Sequence, residues 1–224
     1  MSGKIFDITP LISSRLGVFP GDTSFQQNVL LDIAKGHNIG LSSITTTVHL
    51  GAHADAPNHY ISGGGGIETR DLRRYLGKCL VLHAKAERGE RISKAHLSSF
   101  ADEFINEGVD KGATRILIRT NSFPNPDQWN SDFNSYDPLL IEEWAQKGVK
   151  TIGIDTPSID PESSKDLPSH AMVAKHDLSI LEGLVLTDVA EGFYTLIALP
   201  LKIENADAAP VRAILIADDG RAFS

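Results

Sequence analysis

A single cysteine, Cys79, occurs in the 224 residues of this chain. One thiol excludes an internal disulfide and any zinc cage built from several Cys ligands, and it fits a reducing, cytoplasmic compartment. Its place in the apolar run CLVLHA predicts a buried thiol rather than a reactive one. No run of 18 apolar residues occurs, so no membrane-spanning helix is expected. The start, MSGKIFDITP, lacks the basic end and apolar stretch of an export signal. Positive charge is also scarce: 21 Lys and Arg stand against 29 Asp and Glu, a net charge of −8. That balance disfavours a nucleic-acid or anionic-membrane partner, because phosphate binding needs clustered positive charge. No repeat, charge block or linker-like tract divides the sequence, so one domain over residues 1–224 is expected. A chain of this length buries roughly 70% of its unfolded surface, so any metal it holds serves function rather than folding.

Short β-rich runs recur along the chain. They are KIFDI, SSITTTVHL (42–50), CLVLHAK (79–85), TRILIRT (114–120), KTIGID (150–155), EGLVLTDV (182–189), TLIALPL (195–201) and RAILIA (212–217). Several are continuously apolar, which predicts a sheet covered on both faces. Helical patterns interrupt them at 93–108, after a Ser93 cap, and at 137–148, where Asp137 is the N-cap, Pro138 the first helical residue and Gly148 the stop. A third helix is expected over at least the first half of 169–183. The layout is mixed α/β.

Against one cysteine stand 8 histidines. The segment VHLGAHADAPNHY (48–60) puts His49, His53, Asp55 and His59 at odd positions within eleven residues. In extended chain, side chains alternate faces, so His49, His53 and Asp55 are expected to project to one side. Imidazole nitrogen and carboxylate oxygen are the ligands of catalytic zinc sites, and they suit manganese or iron as well. The small residues Gly51, Ala52, Ala54 and Ala56 leave room for backbone that bends around an ion. The alternative is a strand and loop whose histidines satisfy unrelated backbone groups.

Further ligand types occur at His170, His176, Asp177 and Glu182. On one continuous helix His170 and Glu182 would lie ~120° apart at 3.6 residues per turn, so local reasoning reads His176 and Glu182 as surface or cap residues. His37, His83 and His96 have no ligand-like neighbours, and structural roles are expected for them. Gly63–Gly66 lacks the Lys and Ser or Thr of a phosphate loop and reads as permissive backbone. The segment GIDTPSIDP (153–161) reads either as a shaped site loop or as a turn. Ser158 lacks the G-x-S-x-G elbow of a serine hydrolase.

With these residues in view, the chain resembles the metal-dependent cyclase family of amidohydrolases, whose signature is H-x-G-T-H-x-D-x-P-x-H. Here the string is HLGAHADAPNH (49–59), with Ala52 in the place of Thr. The GAHADAP form is similar to the bacterial kynurenine formamidase subgroup. Further matches are DITPLI (7–12), FPGD (19–22), GIDTPSID (153–160), SHAMVAKH with ILEGL (169–184), and ALPLK with APVRAIL (198–215), so the resemblance spans nearly the whole chain. It implies a cyclase-like swivelling β/β/α fold with a mixed sheet. It implies two zinc ions, or manganese or another divalent metal: His49, His53 and Asp55 at the first, with Asp55 bridging to a second held by His170 and Glu182. This reverses the local reading of Glu182. His59 would be the proton donor and acceptor. Phe19 would contact substrate where the subgroup carries Trp, keeping a ring but losing the indole N–H donor. Asn205 and Ala209 also depart from the tail pattern.

The resemblance further implies a homodimer and a small-molecule substrate. The implied reaction is zinc-dependent hydrolysis of N-formyl-L-kynurenine to L-kynurenine and formate, a step of tryptophan degradation. Two alternatives are carried forward: a related hydrolase of another aryl or cyclic amide, of isatin type, and a metal- or ligand-binding module without catalysis.

Overall fold

The continuously apolar runs form the middle of one sheet. The computed structural model describes residues 3–98 and 101–217. Its strands are β1 (Ile5–Asp7), β2 (Gln26–Leu31), β3 (Leu41–Thr45), β4 (His53–Asp55), β5 (Leu76–His83), β6 (Arg91–Ile92), β7 (Arg115–Arg119), β8 (Ser135–Tyr136), β9 (Thr151–Ile154), β10 (Ser179–Glu182), β11 (Gly192–Ile197), β12 (Ala208–Pro210) and β13 (Ile214–Ala217). Its α-helices are α1 (Pro57–Tyr60), α2 (Ala101–Asp110), α3 (Pro138–Gln146) and α4 (Pro168–Lys175). Nine strands join in the order β1-β13-β11-β5-β7-β9-β10-β4-β12. The central β5, β7, β9 and β10 are parallel, and the strands outside them pair antiparallel.

Period-two alternation divides the core between the two faces of this sheet. Leu80, Leu82, Ile116, Ile118, Ile152, Ile154 and Ile180 pack with Ile105, Leu140, Ile141, Trp144 and Val173, on the side of α2, α3 and α4. Cys79, Val81, Leu117 and Leu181 point the other way, toward Tyr194, Leu196, Leu215 and the small residues Ala52, Ala54 and Ala56. Cys79 is buried, and burial pushes its thiol up to about 12, in line with an inert core residue.

Several expected elements shift. The run 42–50 is a strand only to Thr45, and the run 182–189 is a strand only at its first residue, since β10 begins at Ser179. The helix expected over 93–108 is a 3-10 turn at Lys94–His96, capped by Ser93, followed by α2; residues 99 and 100 lie outside the described set. Asp137 caps α3 as its sequence predicts, accepting from the Leu139 N–H at 2.9 Å. No helix among the described residues is long and apolar enough to cross a membrane.

Candidate metal centre

The site sits at the carboxyl ends of β9 and β10, on the helical side of the sheet, where open α/β sheets commonly bind ligands. Ala54 faces the opposite core, so its neighbours His53 and Asp55 must face the helices. Leu181 likewise faces away, and Glu182 faces in. Antiparallel pairing sets Glu182 directly opposite His53, as close as cross-strand neighbours come. His49 lies before the strand, in a bend at Gly51 with φ of 56°. Strict alternation therefore explains His53 and Asp55 but not His49. Glu182 is not the surface or cap residue of the local reading: it is 3% exposed and lies on a strand, because α4 ends at Lys175.

Two glycines allow this close packing. A Cβ on Gly183, whose φ is 63°, would sit 2.1 Å from the Gly51 carbonyl oxygen. A Cβ on Gly51 would sit 2.9 Å from Pro10 Cγ. Only glycine fits both backbones.

Asp55 lies at the centre of the cluster. Its Oδ1 is 3.1 Å from His49 Nδ1 and 3.4 Å from His53 Nε2, while its Oδ2 is 3.5 Å from His170 Nε2. Glu182 spans the same gap, with Oε2 3.2 Å from His53 Nε2 and Oε1 3.7 Å from His170 Nε2. Donor atoms fall into two groups that share Asp55: His49, Asp55 and His59; and His53, Asp55 and Glu182, each within 4.8 Å.

The outer nitrogens are also held. His53 Nδ1–H donates to the Gly51 carbonyl at 2.8 Å, His170 Nδ1–H to Asp160 Oδ2 at 2.8 Å, and His49 Nε2–H to Asp207 Oδ2 at 3.1 Å. Each ring therefore turns its other nitrogen toward Asp55, the orientation that suits a metal ligand once a cation displaces the proton there. His53 Nε2 and both Asp55 oxygens are buried without a hydrogen bond of good geometry. Buried charge without partners is costly, and a divalent cation is the group that this donor set fits.

The electrostatics agree. Burial would lower the His53 and His170 imidazoles, but the surrounding carboxylates overcome it and raise both to about 10. Burial would raise Asp55, but the facing His170, His49 and His53 imidazoles hold its carboxyl well below the usual range. His59 differs: burial lowers its pKa despite the nearby Asp55, leaving a neutral imidazole near pH 7. Its ring centroid is 4.3 Å from that of His49 and 5.9 Å from that of His170.

A cavity of about 470 Å³ opens over this cluster, lined by His49, His53, His59, His170 and Glu182 at its base. That volume is typical of a small-molecule site. Phe19 is half-exposed on the wall and meets Trp129 edge to face at 5.4 Å, and Trp129 in turn meets Phe123 at 5.7 Å. The wall is thus aromatic, above a polar base.

Residues 6–161 match the family described as putative cyclase. The chain belongs to this cyclase family. A kynurenine formamidase of Delftia acidovorans is 45% identical over 215 residues, covering 96% of this chain and 98% of that protein. One from Bordetella petrii is 45% identical over 212 residues, covering 95% and 97%, and one from Maricaulis maris is 41% identical over the same length and shares. Among solved structures, a potential metal-dependent hydrolase with cyclase activity superposes with a TM-score of 0.77 at 26% identity, covering 97% of this chain and 100% of that one. Isatin hydrolase A of Labrenzia aggregata has the same fold, with a TM-score of 0.77 at 21% identity, covering 96% and 93%.

Three groups at the site were not among the residues singled out in the sequence. Asp160 is fully buried and accepts from the backbone N–H groups of Ser169 and His170 as well as from the His170 ring. It caps the first turn of α4 and aims its histidine; the GIDTPSIDP segment is a site loop. Trp129 and Asp207 carried no local signal, since each stands alone in its segment. The other histidines have structural settings: His83 Nε2–H donates to the Val189 carbonyl at 2.8 Å, His96 completes the capping box with Ser93, and His176 ends α4.

Proposed function

We propose that this protein is a kynurenine formamidase, hydrolysing N-formyl-L-kynurenine to L-kynurenine and formate. The observation that carries the reading is identity of 41–45% with kynurenine formamidases over at least 95% of this chain and of those relatives. The pocket chemistry supports it, since an aromatic wall above a histidine and carboxylate base suits an aryl amide.

In this reading His49, His53 and Asp55 would hold one zinc ion, and Asp55, His170 and Glu182 would hold a second. Asp55 lies between the two sets, with Oδ1 toward His49 and His53 and Oδ2 toward His170, and this placement supports its membership of both. When bound, divalent zinc polarises an amide carbonyl and acidifies water. The protein's own part is to position and to move protons. Phe19, Trp129 and Phe123 orient the aryl ring over the base of the cavity. His59 takes a proton from the attacking water and delivers it to the departing amine nitrogen, a role suited to an imidazole that is neutral near pH 7. The chain acts as one domain over residues 1–224, works in the cytoplasm and forms a homodimer. For the homodimer, the support is the hairpin of β2 and β3, whose Val29, Leu30, Leu41 and Ile44 are all exposed.

The test is formate and kynurenine release by purified protein, metal-depleted and then reloaded with zinc, with isatin assayed in parallel. Zinc-dependent release of formate from N-formyl-L-kynurenine is expected. Ring opening of isatin without formamide turnover would transfer the assignment to the cyclic-amide reading, and inertness toward both would leave a binding module.

A further inference from the structure

The three histidines around Asp55 are held from behind by three different acceptors. For His53 it is a backbone carbonyl, and for His170 it is the fully buried Asp160. For His49 it is a carboxylate from a distant part of the chain, Asp207, 158 residues away. Asp207 Oδ2 is 3.1 Å from His49 Nε2 and 3.7 Å from His59 Nδ1. Its side chain is half-exposed, and the two imidazoles are its side-chain partners among the described residues.

The mount of this carboxylate is rigid even though its tip is exposed. The Ala56 N–H donates to the Asp207 carbonyl at 2.8 Å, the Ile67 N–H to the Ala206 carbonyl at 2.9 Å, and the Asn58 amide to the Asn205 carbonyl at 3.1 Å. All three bonds use backbone oxygens of residues 205–207, so they survive a change of the Asp207 side chain. Ala208, the next residue, pairs across the sheet with Asp55 itself. The loop is thereby registered against the strand that carries the cluster.

We infer that Asp207 is a positioning residue of the metal centre, whose carboxylate holds the His49 Nε2–H and so commits His49 Nδ1 to the cluster. The inference rests on the metal-centre reading above. The physical basis is that an imidazole has two tautomers and a free torsion about its Cβ–Cγ bond, and a ligand histidine needs both fixed. His49 needs this more than its fellows. It leads into the turn at Gly51 rather than lying on β4, and its side chain is 18% exposed where those of His53 and His170 are 2% and 3% exposed. Packing that immobilises the other two rings is thinner around His49, and the hydrogen bond to Asp207 takes over.

The test is zinc titration of the metal-depleted full chain, with the wild type compared with Asp207→Ala and Asp207→Asn. Loss of an outer partner of a ligand histidine weakens metal binding by about 10- to 100-fold, and that loss is expected in Asp207→Ala. Asn keeps a carbonyl oxygen that accepts from His49 Nε2–H but carries no charge, so Asp207→Asn is expected to stay within about threefold of the wild type. Thermal melting of the metal-free variants checks the fold, and unchanged midpoints are expected because the loop is pinned through its backbone. Wild-type affinity in Asp207→Ala overturns the inference. Equal weakening in both variants also overturns it, since the effect would then come from charge rather than from a positioned acceptor. Because the titration uses no substrate, a protein that binds zinc but leaves N-formyl-L-kynurenine intact refutes the proposed activity and still decides the role of Asp207. A wild type that binds no zinc overturns both.

Discussion

His59 is set apart from its neighbouring histidines by what surrounds it. The rings of His53 and His170 are pinned between an outer acceptor and inner carboxylates, whereas His59 Nδ1 faces Asp207 at the longer distance of 3.7 Å and the ring lines the cavity directly. A pinned imidazole suits a ligand, and one with a looser setting suits proton transfer. Replacing His59 with Ala is expected to lower kcat by about 10²- to 10⁴-fold, the usual worth of a general acid or base, while zinc content measured by atomic absorption stays at the wild-type level. Lost zinc in that variant would make His59 a ligand, as its place beside His49 and Asp55 allows.

At the same scale, the legible and illegible parts of the site separate by sequence distance. His49, His53, Asp55 and His59 were visible because they fall within eleven residues, and strand alternation explains His53 with Asp55. Glu182 was invisible to local reasoning because its orientation depends on β10 lying against β4, a pairing that no local pattern encodes. The resemblance supplied it. Asp160, buried, and Asp207, half-exposed, both accept from imidazole N–H groups, and an aspartate in a loop looks the same in sequence whether it faces a histidine or water.

Between elements, the tightest joint is the turn after β10 against the bend before β4. The Gly51 carbonyl both orients His53 and lies where a Gly183 Cβ would fall. Gly183→Ala is therefore expected to destabilise the fold by about 1–3 kcal/mol through its positive φ alone, to lower the thermal midpoint by several degrees, and to weaken zinc binding because the carbonyl is displaced. A melt and a zinc titration on the same sample check both effects.

A second joint ties the 3-10 turn at Leu72–Arg74 to the turn between α4 and β10. Arg70 bonds Asp177 Oδ1 at 2.9 Å, the Leu178 carbonyl at 2.9 Å and Ser179 Oγ at 2.8 Å, and Arg74 also pairs with Asp177. Burial would raise the Asp177 carboxyl, but Arg70 and Arg74 hold it below its usual 3.8. A depressed carboxylate contributes stability that is present above the unfolded pKa and is lost as pH falls through the lower folded value. Asp177 is 67% exposed, so solvent screening limits the gain to roughly 1 kcal/mol or less. Asp177→Asn is expected to be less stable than the wild type at pH 7 by that amount and equal to it once pH falls below the lowered folded value, as read from urea midpoints across pH. A constant difference at every pH would rule out the ion pair as its source.

For the molecule as a whole, the mixed α/β layout and the two-sided sheet were readable from continuously apolar runs, because burial on both faces leaves no polar residue to alternate. The strand order was not readable. It depends on which edges meet after the chain has crossed over, and β4 and β12 are too short, at three residues each, to announce themselves. The β2–β3 hairpin leaves Ile44 63% exposed and Val29 55% exposed, and an isolated two-stranded ribbon is marginal in water. If the hairpin is a dimer contact, Ile44→Asp is expected to shift the protein from dimer to monomer in analytical ultracentrifugation while leaving its circular dichroism unchanged. A wild type that sediments as a monomer would remove that role.

The sheet order carries one more consequence, and it concerns time. β1 pairs with β13, and β4 is held between β10 and β12. The first strand to emerge during synthesis thus waits for the last, and the proposed ligands, from His49 to Glu182, come into register only when residues far downstream have arrived. Contacts of such long sequence separation form slowly. In the proposed reading, metal loading therefore waits for the residues after β9, since a nascent chain that already displays the His49–His59 segment has Asp55 but neither His170 nor Glu182 to share it with.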